Sequence, residues 1–287
     1  MNPGKKKILL LGGTGLLGSA LSAELKSSGH QLLAPSHSEL DILNYDRVIE
    51  CAGSFRSDTI INCAGFNQVD ECESKPDPAF QANALAAGNL AQAGKEVGAK
   101  IFQISSDYIF SGEKKAEYLE DDEPDPLSIY GKSKLEGEAL VKKFAGEFCV
   151  IRASWLFGPG GENFISKILQ KWKAGAGELK VVSDQRGRPT YSPDLAAAVR
   201  LSVERNLHGI YHFCNQGAVS WLELASEVFE IIGTGPELIP VSAEAYGLPA
   251  KRPKNSALST DKIERALSLR IRHHREALKD YLQKINI

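Results

Sequence analysis

Lys7-Ile8-Leu9-Leu10-Leu11-Gly12-Gly13-Thr14-Gly15-Leu16-Leu17-Gly18 is the stretch whose reading decides the fold. A short apolar run of strand character passes directly into a glycine-rich turn, and a segment of helical period opens at Leu16. In that setting Gly12 can take backbone angles closed to other residues, Gly15 lets a pyrophosphate approach the main chain, and Gly18 lets the helix pack tightly on the sheet. The free amides of Thr14, Leu16 and Leu17 at the helix start would face the phosphates of a dinucleotide. A tight turn with no ligand is the plain alternative. The strand before and the helix after favour the dinucleotide.

Outward from this loop, short apolar runs alternate with segments of helical period. Strands are expected at 7–11, 31–34, 59–63, 100–105 and 148–153, with helices over 15–27, 46–52, 78–97 and 130–144. That alternation is the pattern of parallel strands wrapped by crossover helices. Two later runs, 179–182 and 209–214, read as strands completing the sheet. The fold class is therefore α/β, a Rossmann-like doubly wound parallel sheet with a smaller C-terminal substrate-binding subdomain. Residues 1–155 with roughly 190–215 form the dinucleotide-binding part, and roughly 156–189 with 216–287 form the smaller one.

Composition bounds the function. The 287 residues are 43% hydrophobic and 24% charged, enough to bury a large core. A net charge of −2, with no long run of one sign, offers neither a basic footprint for nucleic acid nor a polybasic membrane anchor. The five cysteines are scattered and lack CxxC spacing, so reduced thiols in a cytoplasmic setting are expected, without disulfides or zinc. The apolar run Ile8-Leu9-Leu10-Leu11 is too short for a signal-peptide core or a spanning helix.

Tyr130-Gly131-Lys132-Ser133-Lys134 carries the chemistry. Four residues apart on a helix, Tyr130 and Lys134 share one face, and a nearby ammonium is expected to lower the phenol toward the working pH. That makes Tyr130 a usable proton donor or acceptor, while Lys134 can bond a cofactor ribose. Chance produces this spacing readily, but Tyr130 is the only one of eight tyrosines with a lysine four residues on. Ser105 and Ser106 end a strand at the same sheet edge, where ligands bind in doubly wound folds. Either serine could hold a substrate carbonyl; capping a turn is the alternative. For the nucleotide, no acid closes the second strand and no arginine stands there to grip a 2′-phosphate. The balance leans slightly to NADPH, with NADH open. Asp41-Ile42 could border the adenine, or be a solvated loop.

The chain resembles the extended short-chain dehydrogenase/reductases and, within them, the dTDP-4-dehydrorhamnose reductase family. Besides the motifs above, the resemblance runs through Ile61-Asn62-Cys63-Ala64-Gly65 with Val69-Asp70, Asn83-Ala84, Ser105-Ser106-Asp107-Tyr108 and Arg152-Ala153-Ser154-Trp155. It continues in Asn163-Phe164, Asp184-Gln185, Pro189-Thr190, and Arg252-Pro253 with Asn255-Ser256. It implies reduction of the C4 ketone of dTDP-6-deoxy-L-lyxo-4-hexulose to dTDP-L-rhamnose, using NADPH or NADH. Tyr130, Lys134 and Ser106 would be catalytic, with Ser106 standing where threonine is usual. Asn62, Cys63, Ala64, Gly65, Phe66, Asn83 and Ser105 would lie along the cofactor.

Ser106, Asp107, Val69, Trp155, Asn163, Arg252 and Ser256 would meet the dTDP-sugar. Core packing for Trp155 and an ion pair for Arg252 are the alternatives. A magnesium-binding glutamate found after the glycine loop in some members is replaced here by Gly18-Ser19-Ala20-Leu21. No metal is expected, and a homodimer formed through that glutamate is in doubt. A reductase or epimerase of another nucleotide sugar, or a dinucleotide-binding regulatory subunit like that of methionine adenosyltransferase, are the competing functions.

Overall fold

A computed structural model describes residues 4–287. In chain order the first half contains β1 (Lys7–Leu11), α1 (Leu16–Ser27), β2 (Gln31–Leu33), α2 (Tyr45–Phe55), β3 (Thr59–Asn62), α3 (Val69–Ser74) and α4 (Pro76–Phe80). A π turn (Gln81–Leu85) leads into α5 (Ala86–Val97), followed by β4 (Lys100–Ser106), a 3₁₀ turn (Asp107–Ile109), α6 (Ile129–Phe144) and β5 (Phe148–Ala153). The second half contains β6 (Leu156–Phe157), α7 (Phe164–Lys173), β7 (Glu178–Val182), β8 (Arg186–Gly187), β9 (Thr190–Tyr191), α8 (Ser192–Glu204) and β10 (Gly209–Phe213). It ends with β11 (Val219–Ser220), α9 (Trp221–Ile232), β12 (Glu237–Val241), α10 (Ala243–Tyr246), α11 (Asp261–Leu267) and α12 (His274–Lys284).

Six strands form one parallel sheet in the order β10-β5-β4-β3-β1-β2. Alternation along β1 divides its side chains between two cores. Ile8 and Leu10 pack with α1 and α8; Leu9 and Leu11 pack with α2, α5 and α6. Each fully buried leucine or isoleucine contributes about 1.5–3 kcal/mol. Strand order reverses between β1 and β3, so a crevice opens beyond their carboxyl ends. The glycine loop lies there.

The expected strand at 179–182 exists, but not in this sheet: β7 pairs in parallel with β12 as a separate two-stranded unit. Its burial alternates, with Leu179 and Val181 inside and Glu178 and Lys180 outside, as suits a strand covered on one face only. Leu179 and Val181 join a second core built from α7, α9 and α12. Late residues also return to the large layer, for Ile263, Leu267 and Ile271 pack with α1 and α8 although 216–287 was expected to belong to the small subdomain.

Helix α6 sets the site. Ser128 caps it, accepting a hydrogen bond from the Gly131 amide at 3.1 Å. Two glycines then let it sit unusually close to its neighbours. A Cβ at Gly131 would meet the Tyr108 carbonyl at 2.2 Å, and one at Gly137 would meet the Asn83 carbonyl at 2.2 Å. Tyr130 is thereby pressed against the end of β4.

Candidate active site

The glycine loop fits a dinucleotide by shape and by charge. Gly12 has φ +76°, and a Cβ there would stand 2.7 Å from the Ala64 amide nitrogen. A Cβ at Gly18 would lie 1.9 Å from the Gly12 carbonyl oxygen, so α1 can approach the loop only with glycine at that position. Gly15 is the N-cap of α1, with no capping side chain and no acid in the first turn. The first-turn amides of α1 therefore keep their hydrogen-bonding capacity, in the positive end of the helix dipole. Thr14 and Gly15 are exposed, Leu16 is half-buried, and Leu17 packs into the core.

The opposite wall is held by a buried amide network. Asn62 donates to Gln103 Oε1 at 2.9 Å and accepts from the Ala64 amide at 3.1 Å. Asn83, placed in the π turn, accepts from the Phe66 amide and donates to both the Phe66 carbonyl and Ser133 Oγ. Its side chain thus clamps the Cys63-to-Phe66 segment, and a Cβ at Gly65 would collide with it at 2.7 Å. Asp41 is exposed and its carboxylate accepts from the Leu43 amide, while Asn89 pins the carbonyls of Ile42 and Leu43. The expectation that no arginine approaches the end of β2 needs correction. Arg47 folds back from α2 to within 3.5 Å of the Glu39 carbonyl and lines a cleft of about 400 Å³ with Ala34 and Pro35.

Ser106, Tyr130 and Lys134 are disposed along the last residues of β4. Lys134 is buried, and its Nζ donates to the Ile104 carbonyl at 2.7 Å. Burial pushes its ammonium down to about 8, against the pull of Glu138 one turn further along α6. Glu138 is itself fully buried in a two-bond pair with Arg152 of β5, at 3.0 and 2.8 Å. Tyr130 has its ring edge-on to Tyr108, which lines the large cleft, with centroids 5.8 Å apart.

The expected lowering of the Tyr130 phenol by Lys134 does not occur. Burial pushes it up, the Ser106 hydroxyl opposes this, and Asp107 and Cys72 add to it. The Lys134 ammonium is directed at a backbone carbonyl instead. A raised phenol keeps its proton at neutral pH, which suits an acid better than a base.

Several expected ligand residues are differently engaged. Asp107 is buried behind Ser106 rather than facing the cleft, and Ser256 is buried beside it. Ser105 is buried with an unpartnered hydroxyl. Arg252 forms a two-bond pair with Asp70 at 3.0 and 2.7 Å, joining the small subdomain to the residue after Val69 at the start of α3. Asn163 caps α7 and donates to the Gly158 carbonyl and Tyr281 hydroxyl. Trp155, at φ +46°, stacks on Trp221 with centroids 3.4 Å apart, leaving Trp221 to face the cleft.

That cleft, about 750 Å³, runs from Asp70, Tyr108 and Arg252 past Asn163 to Phe164 and Trp221, with lysines 167, 180, 251 and 254 around it. Sequence reasoning missed Trp221, Lys180 and the Glu138–Arg152 pair. Only Glu138 had a local signal, since it continues the four-residue ridge of Tyr130 and Lys134.

Known proteins share this architecture along its whole length. A family model described as the RmlD substrate binding domain matches residues 6–287. Spore coat polysaccharide biosynthesis protein SpsK of Bacillus subtilis strain 168 is 40% identical over 278 residues, 97% of each chain. A dTDP-4-dehydrorhamnose reductase of Mycolicibacterium smegmatis is 36% identical, covering 96% of this chain and 84% of its own. The crystal structure of a Bacillus anthracis dTDP-4-dehydrorhamnose reductase in complex with NADP superposes with a TM-score of 0.94 at 34% identity, spanning 98% of this chain and 100% of the other.

Proposed function

This chain belongs to the dTDP-4-dehydrorhamnose reductase family of extended short-chain dehydrogenase/reductases, and from that premise we propose that it reduces the C4 ketone of dTDP-6-deoxy-L-lyxo-4-hexulose to dTDP-L-rhamnose. It is an NAD(P)H-dependent oxidoreductase of that type. What supports the reading is that α6 carries Tyr130 and Lys134 against the last residues of β4, with Lys134 bonded to the Ile104 carbonyl and Tyr130 facing the Ser106 hydroxyl.

A nicotinamide held here would supply the hydride. In this reading Ser106 holds the ketone oxygen by its hydroxyl, and Tyr130 gives that oxygen its phenol proton as the alkoxide develops. Lys134, fixed by the Ile104 carbonyl, presents its ammonium to the ribose hydroxyls. Gly12, Thr14, Gly15 and the α1 amides receive the diphosphate of the cofactor, and Arg252 with the lysines of the cleft receives that of the sugar nucleotide. The place of Arg47 beside the end of β2 favours NADPH over NADH, since its guanidinium can pair with a 2′-phosphate.

The test is to supply the purified protein with NADPH and the 4-keto sugar nucleotide and follow nicotinamide absorbance. Tyr130→Phe should lower kcat by at least about 10²-fold with cofactor affinity nearly unchanged. Binding without turnover in the unmodified protein would support a regulatory subunit, and turnover only with another 4-keto sugar nucleotide would replace the substrate. Arg47→Ala should weaken NADPH several-fold while sparing NADH; equal losses remove the preference.

A further inference from the structure

The Asp107 carboxyl lies directly behind the proposed carbonyl-holding serine, and the mechanism above makes no use of it. Its Oδ1 accepts a hydrogen bond from Ser106 Oγ at 3.1 Å, and the same hydroxyl faces the Tyr130 phenol. Asp107 is only 2% exposed, and its Oδ2 has no hydrogen-bond partner. A buried carboxylate oxygen with no donor is costly, whereas a neutral carboxylic acid avoids the larger part of that penalty.

Among the described residues no cationic side chain pairs with Asp107. The groups facing it are the Ser106 hydroxyl and the Asp107 and Tyr108 backbone amides from its own segment, the Ser256 hydroxyl from the C-terminal region, the Tyr108 and Tyr130 phenols, and the Cys214 thiol after β10; burial outweighs the donors among them. Arg252, which faces Tyr108, is already paired with Asp70.

We propose that Asp107 is the proton reservoir of this site, refilling Tyr130 through the Ser106 hydroxyl; the inference rests on the ketone-reductase reading. The balance closes without a further redox partner. In each turnover the ketone carbon gains a hydrogen with its electron pair from the reduced nicotinamide, and the ketone oxygen gains one proton from Tyr130. The Tyr130 phenolate takes the Ser106 proton, and Ser106 takes the proton held on Asp107. A hydroxyl can accept from one partner while donating to the other, so Ser106 need only rotate its O–H. Asp107, left as a carboxylate, is reprotonated by bulk solvent, so each turnover consumes one solvent proton in all. Burial pushes its carboxyl up to about 7, so it can both hold and release a proton near neutrality. The Tyr108 amide donates to Ser106 Oγ at 3.2 Å and fixes its place.

Asp107→Asn keeps the size and an acceptor oxygen for Ser106 but removes the acid. It should lower kcat on the order of 10-fold or more while leaving the KM for the sugar nucleotide within about twofold. The fall of wild-type kcat as pH rises through about 7 should vanish in the variant. Wild-type kcat with an unchanged pH profile in Asp107→Asn would overturn the proposal.

Ser256→Ala gives a second reading if Asp107→Asn does not fold. Because the Ser256 hydroxyl favours the carboxylate, its loss should move the fall to higher pH, and an unmoved profile counts against the reservoir. An infrared difference measurement is independent of the sugar turned over. The carbonyl band of a protonated carboxyl should be present at pH 6, lost by pH 9, and absent from Asp107→Asn. A protein inactive on the 4-keto sugar but showing this band would break the substrate assignment and keep the held proton. An active one lacking the band would break the reservoir alone.

Discussion

The sheet layer and the mouth of the cleft are built on opposite terms. In the sheet layer, Lys134, Glu138 and Arg152 are buried, and each has its polar atoms engaged by a named partner. At the mouth, Lys251 and Lys254 are exposed, Tyr246 and Leu248 present apolar surface at 40% and 43% exposure, and the ion pair of Lys167 with Glu162 is open to water. A buried ion is held in place because removing its partner leaves an uncompensated charge; an exposed one is cheap to change. The contrast teaches that the polar groups of the sheet layer are locked in place by their partners, while the side chains at the mouth can vary without unfolding the protein.

The sharpest way to break that contrast is at the buried pair. Arg152→Ala should destabilise the fold by about 3–5 kcal/mol in urea unfolding, because Glu138 would be left charged and unpaired. A loss under about 1 kcal/mol would show the sheet layer to be as tolerant as the mouth. At the mouth, Arg252→Ala should raise the KM for the sugar nucleotide on the order of tenfold or more with kcat little changed, as removal of a charged hydrogen bond predicts. A change in kcat alone would move Arg252 from substrate binding to the chemistry.

A third prediction turns on pH. Burial lowers the Lys134 ammonium to about 8, so its charge is present below that value and lost above it. Cofactor affinity, read by fluorescence titration, should therefore fall on the order of tenfold as pH rises from 7 to 9.5. A flat profile would leave the lysine a purely structural role. The smallest effect is expected of Lys167→Ala, whose exposed pair is worth about 0–1 kcal/mol, with a shift of KM of about fivefold at most and no change in melting temperature.

Local patterns made much of this legible. The glycine loop, the strands on either side of it, and the ridge of Tyr130 and Lys134 depend on neighbours within a few residues, and they stand where periodicity and spacing put them. The strand at 178–182 was legible as a strand but not as a member of the second sheet, because its partner β12 lies far along the chain. Trp155 showed a similar limit. The family resemblance marked it for the substrate; nothing local foretold its left-handed backbone or its stack on Trp221, the indole that lines the cleft.

What the sequence determined by itself was the order of elements, the glycine turn and the helix face carrying phenol and ammonium, since each follows from backbone sterics and helical repeat. Only the tertiary structure decided the ionisation of that face and the partners of Arg252, Arg47 and Asp107. Those depend on how far each charge is withdrawn from water and which distant group it meets, and neither burial nor long-range contact is encoded in spacing along the chain.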